Sequence, residues 1–175
     1  MILSSRMATW IKRQLVMNTL NLLTPQEVEA VTYDSFNKMD LNAMIETSKG
    51  GECNCSLQFN MLNLLWEQTL FHFASKLSQK YTGGNWTTEN GFYVLNGYES
   101  EIFKVADCWG SEYEMNSLEF SITVNLFALS NISISTFGTK PAINRRAVFF
   151  SDYIKEIMNK NANVLNLSPI YRVID

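Results

Sequence analysis

The residues best suited to chemistry are few and poorly grouped. Three cysteines, Cys53, Cys55 and Cys108, and a single histidine, His72, are the only soft metal ligands in the chain. Four is the number a structural zinc needs. Zinc sites usually pair their cysteines as C-x-x-C, however, and here the pair is C-x-C with the other two candidates scattered. The spacing fits buried or idle thiols better, so no metal is expected. His72 lies within Leu70-Phe71-His72-Phe73 and reads as a packed or half-exposed helix histidine. Carboxylates are closer together: Glu99, Glu101, Asp107, Glu112 and Glu114 share one short stretch. Alternation on a strand would put Glu112 and Glu114 on one face, where with Asp107 they would suit a small metal-dependent nuclease or an acid–base enzyme. A solvated strand face gives the same pattern with no chemistry.

Recognised catalytic motifs are missing from the sequence. It has no G-x-x-x-x-G-K-[ST] phosphate loop, no G-x-S-x-G elbow and no H-E-x-x-H. The Gly83-Gly84 pair follows a helix pattern instead of opening one, so it reads as a helix stop and not as a phosphate nest. No cofactor and no enzymatic activity are expected. Fourteen basic and seventeen acidic residues leave a net charge of −3. That is too acidic for a protein built to neutralise phosphates, and far too mild for one that imitates the DNA polyanion. An odd number of thiols without framework spacing points to a reducing compartment. The first 23 residues read as no address, because Arg6, Lys12 and Arg13 interrupt their apolar run. No uninterrupted stretch reads as long enough to cross a bilayer. The expectation is a cytoplasmic protein with no membrane contact and no direct nucleic-acid binding. In that setting the N-x-S/T triplets at Asn85 and Asn131 are not glycosylation sites.

These residues must be positioned by the elements around them. At 175 residues with 46% apolar side chains, the chain is long enough to bury a core. Residues 7–23 carry Ile11, Leu15 and Leu22 at helical spacing, and Thr24-Pro25-Gln26-Glu27 is a helix start. Residues 1–56 therefore read as a helical extension or subdomain, broken off by Gly50-Gly51. From 57 to 81, Leu62, Trp66, Leu70, Phe73, Leu77 and Tyr81 recur at three- or four-residue steps, predicting a helix closed by the diglycine. The period then changes. Residues 85–87 and 92–95 predict strands around a Glu89-Asn90-Gly91 turn, and residues 101–107 and 109–115 predict two more. Asn116 and Glu119 form a capping-box signature for a helix over 117–131. A loop holding Gly138 and Pro141 precedes a last helix over 144–161. Strands segregated in mid-chain give an α+β class: one compact domain over 57–175, with a small antiparallel meander packed by several helices.

The run from Phe71 to Trp86, FHFASKLSQKYTGGNW, resembles the signature of the ArdB/KlcA antirestriction family. There an aromatic-rich helix ends in Y-x-G-G-x-W, as Tyr81, Gly83, Gly84 and Trp86 do here. The resemblance continues through the Asn90-Gly91 turn before Phe92-Tyr93-Val94, the Glu114-Met115 pair opening a helix, Asp152-Tyr153, and the terminal Val173-Ile174-Asp175. It covers roughly residues 62–175, with the anchors in the same order. The family's amino-terminal Trp-Pro and His-Phe-Gly are not matched; Trp10 is followed by Ile11-Lys12, which marks a diverged branch. The resemblance implies a mixed helix-and-sheet protein that blocks type I restriction–modification for an incoming plasmid or phage. Its implied partner is the restriction–modification enzyme or a factor acting with it. The candidate partner-binding residues are Tyr81, Gly83, Gly84, Trp86, Asn90, Gly91, Glu114 and Asp175. For the glycines and Trp86, a purely packing role accounts for the same residues.

Overall fold

The structure, a computed structural model, describes residues 54–175, with side chains from residue 61 onward. The helices expected at 7–23 and after Pro25, and the side chains of Cys53 and Cys55, lie outside the described residues. The order of elements is α1 (Asn54–Leu77), β1 (Asn85–Glu89), β2 (Phe92–Asn96), β3 (Ile102–Ala106), β4 (Glu112–Asn116), α2 (Ser117–Thr136), α3 (Pro141–Lys160) and α4 (Leu167–Ile174). This is the α+β architecture that the segregated strands predict.

Helix α2 is the centre of the domain, and α1, α3, α4 and β2 all pack against it. Its sequence is apolar on every side, which suits a helix whose first three turns have no solvent face; Ser130, Asn131, Ile134 and Ser135 near its end are exposed. Ile122, Val124, Ala128 and Leu129 are fully buried, together with the polar Ser121, Thr123 and Asn125. Most of these polar groups bond back along the helix: Ser121 Oγ donates to the Ser117 carbonyl at 2.6 Å, and Thr123 Oγ1 to that of Glu119 at 2.8 Å. By length and composition α2 is apolar enough to cross a membrane, contrary to the expectation of no such stretch. In this fold 72% of that apolar window is buried inside the protein.

The amino-terminal end of α2 is the capping box read from the sequence. Asn116 Oδ1 accepts from the Leu118 and Glu119 amides, and Glu119 Oε2 accepts from the Asn116 amide at 2.9 Å. The other oxygen of Glu119 accepts from the amide of Asn166 at 2.8 Å, 47 residues on. One buried carboxylate thus both starts α2 and docks the segment leading into α4.

Four strands form, but not one meander. They are two separate antiparallel hairpins, β1–β2 and β3–β4. The reason lies on the second edge of β2. Tyr93 and Leu95 turn their peptide groups away from β1, and α2 side chains one helical turn apart take them. Asn125 Oδ1 accepts from the Tyr93 amide and its Nδ2 donates to the Tyr93 carbonyl at 2.7 Å. Ser121 Oγ accepts from the Leu95 amide at 3.0 Å, and Ser117 Oγ donates to the Leu95 carbonyl. A helical turn rises about 5.4 Å and two strand residues about 6.8 Å, near enough for a row of polar side chains to pair a strand edge. A helix occupies the place a third strand would take.

Other boundaries also depart from the sequence reading. Helix α1 ends at Leu77, before Tyr81 and the diglycine, so Gly83 shapes the connection and is no helix cap. Helix α3 begins on Pro141, which tolerates the first helical position because its missing N–H has no partner there. The tail forms α4, with Pro169, Ile170 and Val173 buried against α2 and β4.

Candidate functional site

The residues from Tyr81 to Trp86 join the end of α1 to the first hairpin through aromatic contacts. Trp86 Nε1 donates to the Tyr81 hydroxyl at 3.0 Å. The Tyr81 ring lies 6.3 Å from Phe120 of α2 and 6.5 Å from Tyr98. Tyr98 packs 5.5 Å from Phe103, which stacks on Phe120 with centroids 4.1 Å apart and planes 6° apart. The Tyr98 hydroxyl donates to the Gly83 carbonyl at 2.7 Å. Gly83 takes φ +108, a conformation that favours glycine, while Gly84 is required by space: a Cβ there would run into Leu95 Cδ1 and approach Tyr98 to 3.3 Å. Lys80 adds a polar strap, pairing with Glu101 and donating to the Ile102 carbonyl. Tyr81, Gly83, Gly84 and Trp86 thus form one cluster; packing explains Tyr81, Gly84 and Trp86, and backbone conformation explains Gly83.

The other candidates lie elsewhere. Asn90 and Gly91 form the β1–β2 turn with φ +53 and +84, the two positive angles of a type I′ turn. The hairpin is five residue pairs long, which separates this turn from Trp86 by roughly 10 Å. Tyr153 of α3 closes over the turn: its hydroxyl donates to the Asn90 carbonyl at 3.1 Å, and a Cβ on Gly91 would meet its ring at 3.1 Å. Burial holds the Tyr153 pKa above its ordinary value, so the hydroxyl keeps its proton as a donor. Glu114 lies on the outer face of β4, opposite Lys104 in the ladder. Asp175 ends α4, its amide donating to the Tyr171 carbonyl at 3.1 Å. Burial first, then the Glu156 and Asp175 carboxylates, raise the Tyr171 hydroxyl pKa. The eight candidates therefore fall in four places and do not converge on one cleft.

The acidic stretch is divided in the same way. Glu112 and Glu114 do share an exposed face, as alternation requires. Asp107 is occupied differently: Oδ1 accepts from the Trp109 and Ser111 amides at 2.9 and 2.8 Å, and Oδ2 from the Tyr113 hydroxyl at 3.1 Å. Desolvation opposes ionisation of this carboxyl, but the hydrogen bonds from Ser111, Trp109 and Tyr113 outweigh it and hold the pKa below 3.8. Among the described residues, no group of three or more His, Cys, Asp or Glu is arranged to hold a metal ion. His72 is exposed on α1 and Cys108 is exposed beside Trp109.

Two features escaped the sequence reading. The row Ser117, Ser121, Asn125 carries only a four-residue spacing of small polar groups within an apolar helix. The sequence predicts Trp109 at the start of a strand, and the structure puts it at the β3–β4 turn, 89% exposed. Its signal was Asp107-Cys108-Trp109-Gly110: Asp opens a type I turn and glycine follows in the left-handed region, here with φ +86. A shallow groove of about 260 Å³ also runs between α2, α3 and Ile174, with Leu126, Leu129 and Val148 among its lining.

No protein-family model and no curated protein matches this chain.

Proposed function

We propose that this protein is an antirestriction protein of the ArdB/KlcA kind, which blocks host type I restriction–modification and so protects incoming plasmid or phage DNA. It acts in the bacterial cytoplasm, without catalysis and without imitating DNA, by contacting the restriction–modification enzyme or a factor working with it. The observation that carries this reading is the ordered set of signature residues from Tyr81 to Asp175. Two members of that set, Asn90 and Tyr153, stand 63 positions apart and are hydrogen-bonded to each other, which gives a physical reason for the two motifs to occur together. The net charge of −3 agrees with a protein partner better than with a polyanion or its mimic. The alternatives are a small metal-dependent enzyme using Asp107, Glu112 and Glu114, or an inhibitor of a different bacterial defence system. The first of these draws little support from an Asp107 already committed to its own loop. A direct test is transformation of a type I restricting strain with unmodified plasmid, with and without this protein expressed. The proposal expects transformants to rise towards the level given by modified plasmid; an unchanged yield with soluble protein present would count against it.

A further inference from the structure

The most exposed large apolar side chain of the described residues is also one whose backbone is firmly held. Trp109 is 89% exposed, and the next most exposed large apolar residues, Phe137 and Ile134, lie at the far end of α2. Leaving an indole in water is unfavourable, and a tryptophan of this kind ordinarily packs. The loop bearing it is nevertheless fixed. Its amide is held by Asp107 Oδ1, the Gly110 amide donates to the Asp107 carbonyl at 3.1 Å, and the Asp107 amide donates to the Ser111 carbonyl at 2.9 Å. Tyr113 ties the same carboxylate down to β4. The backbone of the tip is therefore ordered before any partner arrives, which lowers the entropic cost of binding through it.

We propose that Trp109, presented by the Asp107 loop, is the anchor through which this protein docks onto a protein partner: a surface with an apolar pocket rimmed by basic side chains. The pocket follows from the indole. The basic rim follows from the charges beside it: residues 104–114 carry one basic side chain, Lys104, against three acidic ones, Asp107, Glu112 and Glu114; Lys104 lies opposite Glu114 alone, and both glutamates are exposed on the hairpin's outer face. The same charges disfavour a nucleic acid or an anionic membrane, each of which would meet carboxylates next to the ring. This inference rests on the antirestriction reading and takes the type I restriction–modification enzyme as the partner.

The test is binding of the full-length protein to purified type I restriction–modification complex by biolayer interferometry, comparing wild type, Trp109→Ala and Trp109→Phe. Thermal melts check that all three fold, which an exposed side chain should not affect. Wild-type binding with a loss of about thirty-fold or more in Trp109→Ala, partly rescued by phenylalanine, is the expected result. Equal binding by wild type and Trp109→Ala overturns the anchor while leaving the antirestriction reading standing. Absence of wild-type binding overturns the direct contact and the anchor together. Quenching of tryptophan emission by a thymidine oligonucleotide, or its blue shift on anionic phospholipid vesicles, seen in wild type and lost in Trp109→Phe, overturns the assignment to a protein partner.

Discussion

Replacing Asn125 with alanine isolates the contact that substitutes a helix for a strand. Its amide is fully buried and makes three hydrogen bonds: from the Tyr93 amide at 3.2 Å, and to the Tyr93 and Ser121 carbonyls at 2.7 Å each. The Ser121 carbonyl keeps its helical partner in the variant. The Tyr93 N–H and C=O do not, because β1 bonds to the other edge of β2. A buried backbone group left unpaired costs about 1–3 kcal/mol. Two such groups give roughly 2–6 kcal/mol, with the lower figure applying if water reaches the half-buried Tyr93. That is a large part of a typical stability of about 5–15 kcal/mol, and it lowers Tm by roughly 5–20 °C at this chain length. Urea and thermal unfolding followed by circular dichroism measure it. Asn125→Asp sharpens the test, since a carboxylate would face two carbonyls. That variant should be less stable than Asn125→Ala at neutral pH and recover as pH falls and its carboxyl protonates into a donor. A loss below about 1 kcal/mol for Asn125→Ala would refute the account of how β2 is held.

Other substitutions test the remaining contacts. Glu119→Ala frees the Asn116 and Asn166 amides together, and should cost about 2–4 kcal/mol against about 1 kcal/mol for Asn116→Ala, with faster hydrogen exchange in α4. Tyr81→Phe removes the acceptor of the Trp86 indole and should cost about 1 kcal/mol, read by urea unfolding, with a shift in tryptophan emission. Gly84→Ala and Gly83→Ala should both destabilise, for different reasons: the Gly84 Cβ meets the fully buried Leu95, whereas Gly83 has open space but a φ of +108 that an L side chain rarely adopts; a lowered melting temperature in each variant checks this. The Asp107 carboxyl has a lowered folded pKa, so its stabilisation is complete above about pH 3.8 and is lost as pH falls through the folded value. The stability gap between wild type and Asp107→Asn should therefore narrow below that pH in acid titrations.

Local signals in the sequence carried the α+β class, the α1 face, the Asn116 cap and the Asn90-Gly91 turn. Each depends on residues within a few positions of one another. Non-local pairing was illegible: nothing around Tyr93 announces that its second edge belongs to Ser121 and Asn125, so a meander was the natural expectation. Helix α2 runs to Thr136 instead of 131 because Ile132 and Thr136 are buried, and burial overrides the modest helix propensity of Ile, Ser and Thr. The sequence reading assigns no element to residues 167–175; the structure forms α4 there, with Pro169 tolerated because it lies near the helix start. At the candidate site, the Tyr81–Trp86 motif was readable as a pattern, while the contacts binding it to Phe120 and Tyr98 were not. The strand expected over 109–115 begins only at Glu112, because the Asp107-to-Gly110 turn chemistry takes Trp109 into the loop.

The measurement that bears most directly on the central claim is the plating efficiency of unmodified phage on type I restricting cells, with and without this protein, using a non-restricting strain as reference. The account predicts that expression raises plating on the restricting host by orders of magnitude and leaves the non-restricting host unchanged. Plating that stays fully restricted while soluble protein accumulates would contradict it.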